Sequence, residues 1–186
     1  MVDAPVDARV VRTHNDVLAA AIDVLIEEGW DAVTQPRVAR RAGYAKATVY
    51  SHWPDRLDLL RDAFQRFGEI PHHEPVGDVR ADMLGELRSY RRAMVEHRLD
   101  RVLAILAERA TEVEAAAELR DQFVDDGMAV CRSVVATVLS GVEARAASAM
   151  MGGALLHAVL LEHRIPDDEE LEIVVDTVLR GFDIAR

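Results

Sequence analysis

An ammonium and a phenol hydroxyl four residues apart share one face of a helix, and both donate to phosphate oxygens. Lys46 and Tyr50 have that spacing within AKATVYSHW. Between them, Thr48 is short enough to reach a base edge or a thymine methyl group. Val49 and Trp53, also four apart, form the opposite face and read as core. Tyr44 and Ala47 lie at the exposed front of this segment, and Ser51 and His52 extend the exposed set toward its end. Upstream, Thr34, Gln35 and Arg37 crown the start of a preceding short helix, where unpaired backbone N–H groups favour phosphate. The chemistry these residues offer is contact with double-stranded DNA.

Their setting is electrostatically odd. The chain has 186 residues and a net charge of -11, yet residues 32–54 contain no acid and four bases, Arg37, Arg40, Arg41 and Lys46. Lys46 is its single lysine. Residues 1–67 are nearly neutral at -1, and residues 68–186 carry the other -10. An acidic protein still binds a polyanion through a locally positive face, because exposed charges more than about 10 Å away are largely screened at 0.1 M salt. The asymmetry implies a small polyanion-facing module joined to a larger acidic body.

Helices must position these groups. Ala, Leu and Arg are good helix formers, and Gly and Pro mostly punctuate. Residues 1–11 read as a frayed tail. Val17, Leu18, Ala21, Leu25 and Ile26 recur at helical spacing in a helix from Thr13, its cap, to Glu28, with Gly29 as the stop. Trp30 anchors the following corner. Thr34 caps a second helix that tolerates Pro36 in its first turn and ends at Gly43. A third helix, 45–52, is stopped by Pro54. Asp55 caps a fourth, 55–67, with Leu57, Leu60, Phe64 and Phe67 inward. Helices two and three, parted by Gly43, have the form of a helix-turn-helix. Residues 68–77, GEIPHHEPVG, read as a solvated linker, since the adjacent His72 and His73 do not share a helical face and no further ligands sit nearby to hold a metal. Further helices are expected near 78–97, 99–110, 112–140, 143–164 and 167–184. The domain plan is therefore tail 1–11, DNA-binding domain 12–67, linker 68–77 and C-terminal domain 78–186, all-α throughout.

Catalysis has no constellation to rest on: there is no Gly-rich phosphate loop, HExxH, CxxC or G-x-S-x-G. Neither a cofactor nor a metal is expected. The acidic run Asp167–Glu170 fits a solvated helix start. Cys131, the one cysteine, excludes an intrachain disulfide and reads as a small core residue. No apolar run uninterrupted by charge or glycine reaches the ~18 residues of a membrane span. The N-terminus MVDAPVDARVVRTHND lacks the basic start and apolar core of a signal peptide. A soluble, cytoplasmic protein is expected.

The segment VLAAAIDVLIEEGWDAVTQPRVARRAGYAKATVYSHWPDRLDLL resembles the DNA-binding domain of the TetR family of transcriptional regulators. The likeness runs from Glu28-Gly29 through Thr34, Val38-Ala39, Arg41-Ala42-Gly43, Lys46 and Thr48-Val49-Tyr50 to the Trp53-Pro54 stop. It implies an N-terminal three-helix DNA-binding domain with a linking fourth helix, followed by a helical ligand-binding and dimerisation domain. It further implies a homodimer on a palindromic operator, released by a small-molecule effector. Thr34 and Tyr50 match phosphate-contacting positions, Lys46 a backbone or base contact, and Thr48 a base contact. Tyr44, Ala47, His52, Pro36 and Arg37 depart from the family pattern, which locates this protein's own base preference at Tyr44, Ala47 and His52.

Within that frame the last two helices form the dimer surface. Ala146, Ala149, Gly152, Gly153 and Leu156 allow close approach, and Ile173, Val174, Val178 and Phe182 supply an apolar stripe. The candidate ligand-binding side chains are Met83, Tyr90, Met94, Leu103, Leu106, Phe123, Met128, Met150, Met151 and His157, a mostly apolar set suited to a hydrophobic effector. The alternative reading is a helical small-molecule-binding protein without operator binding.

Overall fold

The computed structural model describes residues 8–184. Among them ten α-helices form and no strand: α1 Ala8–Glu28, α2 Gln35–Ala42, α3 Lys46–His52, α4 Arg56–Phe67, α5 Val79–Glu96, α6 Leu99–Arg109, α7 Glu114–Gly127, α8 Ala129–Ala136, α9 Gly141–Leu156 and α10 Asp168–Gly181. They build two compact units. The first holds the described residues up to Glu69 together with Ile105–Phe123, and the second holds Ile70–Ala104 and the residues from Val124 onward.

In the first unit α1 packs on α2 and α4, and α2 on α3. Val17, Leu18, Val24 and Leu25 of α1 are buried with Val38, Val49, Trp53, Leu59, Leu60 and Phe64. Each such aliphatic side chain, fully buried, contributes about 1.5–3 kcal/mol. The Trp53 indole N–H donates to Asp62 Oδ2 at 2.8 Å. Buried Trp30 lies in a 3-10 turn, 30–32, with the Arg56 guanidinium 5.2 Å from its ring centroid. Arg56 also donates to the carbonyls of Val33, at 2.6 Å, and Trp30, satisfying the end of that turn. Phe123 stacks against Phe64 and Phe67, with ring centroids 5.8 and 6.0 Å away.

Several local expectations change. α1 begins at Ala8, so residues 8–11 are helical and Thr13 is interior; Ala8 to Arg12 contain nothing that breaks a helix. The rest of the expected tail, 1–7, lies outside the described residues. In α4 it is Leu59 and Ala63 that join Leu60 and Phe64 in the core, while Leu57 and Phe67 are half-buried. The expected 112–140 helix is two helices broken at Gly127-Met128, where glycine's low helix propensity meets a half-helical Met128 (φ -93°, ψ -2°).

The second unit packs α5 on α8, α9 and α10, with α9 also touching α8 and α10. Met83, Leu87, Met94, Val135, Ala147, Met151, Leu155, Leu171, Val175 and Leu179 form its core. α5 is tied to α10 and its leading turn by arginines. Arg80 donates to Asp176 at 2.7 Å, while Arg88 and Arg91 fork onto Asp168 at 2.7 Å each. Gly141–Leu161 is, by length and composition, able to cross a membrane, because Gly152 and Gly153 stay helical and do not interrupt it. Part of its apolar surface is spent inside the unit, where Ala147, Met151, Leu155 and Ala158 are buried.

The 68–77 stretch is largely exposed, yet its second half is bound to the fold. Asp82 and Glu86 of α5, both about 5% exposed, hold it down. Asp82 accepts from the N–H groups of Val76 and Gly77 at 2.7 and 3.0 Å and from His73 Nε2 at 3.0 Å. Glu86 accepts from the His73 N–H at 2.8 Å and His72 Nδ1 at 3.1 Å. A carboxylate only accepts, so each facing imidazole nitrogen carries a proton. Gly85 makes this approach possible: a Cβ there would stand 2.3 Å from the His73 ring. These donors hold the Asp82 carboxyl below its ordinary value, the Val76 N–H contributing most.

Candidate nucleic-acid interface

The short α3 is aimed by what surrounds it. Gly43 ends α2 in the left-handed region (φ 78°), where a side chain would be strained, and turns the chain toward α3. Tyr44 then donates its hydroxyl to Asp16 Oδ2 of α1 at 2.7 Å. Val49 is fully buried and Trp53 nearly so, which pins the inner side. At the far end Gln35 is buried, and its Nε2 donates to the carbonyls of Trp53 and Pro54 at 3.2 Å each. The His14 ring of α1 lies 4.6 Å from the Trp53 ring and 6.3 Å from His52, centroid to centroid.

With the inner side fixed, Lys46, Ala47, Tyr50, Ser51 and His52 are exposed and Thr48 is half-buried. Tyr50 is 45% exposed, high for a tyrosine that could otherwise be core. Ser51 returns its hydroxyl to the Thr48 carbonyl at 2.8 Å. Thr34 caps α2 by accepting from the Arg37 N–H at 3.4 Å, which leaves its own hydroxyl proton available to donate.

Three of the ten residues expected at DNA are thus tied to a different part of the fold: Gln35 to the residues just past α3, Tyr44 to Asp16, and Arg37, which forks onto Glu28 with Nε at 2.8 Å from Oε2 and Nη2 on Oε1. Arg41 forks likewise onto Glu27 at 2.7 Å twice and reaches Asp23 at 3.4 Å. Folding therefore brings Asp23, Glu27 and Glu28 of α1 against the arginines of the basic island, beside Asp16 at Tyr44. Lys46 makes no salt bridge among the described residues, and Arg40 acts on Glu28 through space only. Sequence spacing offered one signal for this: Asp23 and Glu27 stand a turn apart on α1.

The ten ligand candidates divide between the two units. Leu106 and Phe123 belong to the first unit and the other eight to the second. Met83, Met94 and Met151 are buried core, Met150 is half exposed, and exposed His157 faces Glu162 at 3.4 Å. Met128 lies over Gly152, 3.6 Å from where a Cβ would stand. Burial pushes the Tyr90 phenol above its ordinary value and the Cys131 thiol up to about 11, so both stay protonated. A groove of about 820 Å³ beside α5 is lined by His72, His73, Arg80, Leu84, Arg88 and Arg92 among others, and by none of the ten.

Residues 17–63 match the family described as bacterial regulatory proteins, tetR family. The chain is 27% identical over 175 residues to the HTH-type transcriptional regulator Rv1556 of Mycobacterium tuberculosis (strain ATCC 25618 / H37Rv), covering 89% of this chain and 85% of that protein. To the HTH-type regulator YdeS of Bacillus subtilis (strain 168) it is 44% identical over 52 residues, 28% of this chain and 26% of the relative. Among solved structures, the flavonoid-responsive regulator FrrA shares the fold with a TM-score of 0.71 at 19% identity, over 92% of this chain and 95% of that one. The exposed face of α3, the pinned two-helix unit and these likenesses agree: residues 17–63 carry the DNA-binding region of the tetR family of bacterial regulatory proteins, and most of the chain is similar to HTH-type transcriptional regulators.

Proposed function

We propose that this DNA-binding regulator is a homodimeric repressor that occupies a palindromic operator and is released from it by a small effector. The observation that carries the reading is the outward Lys46–Tyr50 face of a helix whose inner side is fixed by Val49, Trp53 and Gln35. Lys46, Tyr50 and Thr34 take phosphates; Thr48, Ala47, Ser51 and His52 face base edges; Gln35, Tyr44 and Arg37 position the helices. Residues 12–67 serve as the DNA-binding domain and 78–186 as the domain for dimerisation and effector binding.

The dimer reading is supported by the apolar and small residues left outward on the last two helices: Ala149, Met150 and Gly153 on α9, and Ile173, 56% exposed, on α10. A two-fold dimer presents two copies of α3 to half-sites about 34–36 Å apart, one turn of DNA. The effector is a small hydrophobic or amphipathic molecule, and the protein works in the cytoplasm.

Selection of bound genomic fragments at low salt tests this. A recovered inverted repeat that one dimer protects, with binding lost in Lys46→Ala, is the expected result. Recovery of no fragment would sink the reading in favour of effector binding alone.

A further inference from the structure

α1 turns acids toward α2, and they meet its arginines in a geometry that phosphate also uses. Arg37 presents Nε and Nη2 to the two oxygens of Glu28, and Arg41 presents Nη1 and Nη2 to the two oxygens of Glu27. A guanidinium grips a carboxylate and a phosphate with the same planar fork, so one anion excludes the other from that edge. Both pairs stand on the half-exposed margin of the unit: the Arg37 and Glu28 side chains are 25% and 32% exposed. Neither pair is therefore a buried core feature, and both are within reach of a competing anion. Arg37 holds the Glu28 carboxyl below its ordinary range, so the clamp stays ionised at neutral pH.

We propose that Glu28 is a specificity-determining positioning residue, whose carboxylate withholds Arg37 from DNA phosphates and so suppresses binding to non-operator sequence. The inference rests on the DNA-binding reading above. Its physical basis is the difference between the two kinds of complex. Non-specific binding is almost entirely phosphate neutralisation and is available in many orientations, so any free cation strengthens it. In the operator complex α3 fixes the orientation, and direct contacts to bases carry the discrimination. A fork closed by an internal carboxylate adds nothing to counterion release, which leaves Lys46, and Arg40 outside any fork, as the cations α2 and α3 offer to DNA.

The test compares wild type, Glu28→Gln, Arg37→Gln and the double variant. Each is titrated into the selected operator and a scrambled duplex between 50 and 200 mM salt, with circular dichroism melts confirming folding. Glu28→Gln is expected to tighten the scrambled duplex by roughly tenfold and steepen its log–log salt slope by about 0.9 per subunit. Operator affinity should change by less than about threefold, so the specificity ratio falls. Arg37→Gln should leave the wild-type slope unchanged, and the double variant should behave as Arg37→Gln does. A structural role for Glu28 alone would not move the slope. Should Glu28→Gln fail to fold, Glu27→Gln makes the same test on Arg41, with a smaller shift expected because Asp23 retains part of the hold. An unchanged slope in the folded Glu variant, or a slope already reduced in Arg37→Gln, overturns the inference. Wild type that binds neither duplex overturns the DNA-binding reading itself, and the inference with it.

Discussion

Two groups of carboxylates in this protein do opposite things. On α1, Asp23, Glu27 and Glu28 stand partly in solvent and close on arginine forks. On α5, Asp82 and Glu86 are buried and accept from backbone N–H groups and imidazoles of the 72–77 stretch. Exposed pairs are screened and add little to folding, so the first group chiefly sets which charges the surface presents. Buried acceptors leave unsatisfied donors when removed, so the second group sets conformation. Location, rather than residue type, separates the roles.

The largest effect that sharpens this contrast is expected from Asp82→Ala. It strips the acceptor from the Val76 and Gly77 N–H groups and from His73, and should lower stability by about 3 kcal/mol, read from the urea midpoint. A change no larger than that of a surface control would break the contrast. Next comes Gly85→Ala. Alanine in an open helix position stabilises by up to about 1 kcal/mol, but here its Cβ collides with His73, and a net loss of about 1–2 kcal/mol is expected. The sign alone decides, since a gain would mean that the histidine does not lie against α5.

Acid should act on the same group. Because Asp82 is held below its ordinary value of 3.8, the unfolded chain binds that proton more readily than the folded one. The stability it provides is complete above about pH 4 and is lost as pH falls through the lower folded value. Asp82→Asn should flatten the fall of the urea midpoint below pH 4, and an equally steep fall in the variant would contradict the assignment. The smallest effect is expected from Tyr44→Phe, which removes one exposed hydrogen bond to Asp16 and should cost about 0.5–1 kcal/mol, measured by thermal melting.

How legible these regions were follows from the separation of their partners. Thr34, Gly43, Asp55 and Trp53 act on neighbours a few residues away, and the structure shows their capping and core roles as the sequence implies. The outward residues of α3 follow from the same local periodicity. By contrast, Arg41 meets Glu27 across 14 residues and Tyr44 meets Asp16 across 28, contacts that exist only once α1 lies beside α2 and α3. Helical spacing leaves the adjacent His72 and His73 without a shared face; in an extended segment two neighbours can each find a carboxylate on one helix. The ligand candidates divide between the units because Met and Leu periodicity marks burial and does not say in which unit a side chain is buried.

Gln35 carries a kinematic consequence. Its amide ties the first turn of α2 to the Trp53 and Pro54 carbonyls just past the end of α3, while Gly43 joins the same two helices at their other ends. Tyr44 and Trp53 add fastenings to Asp16 and Asp62. A linkage closed at both ends and braced on two sides has no soft internal joint, so α3 does not swivel within its unit. Any signal that changes its aim must carry the whole unit as one lever.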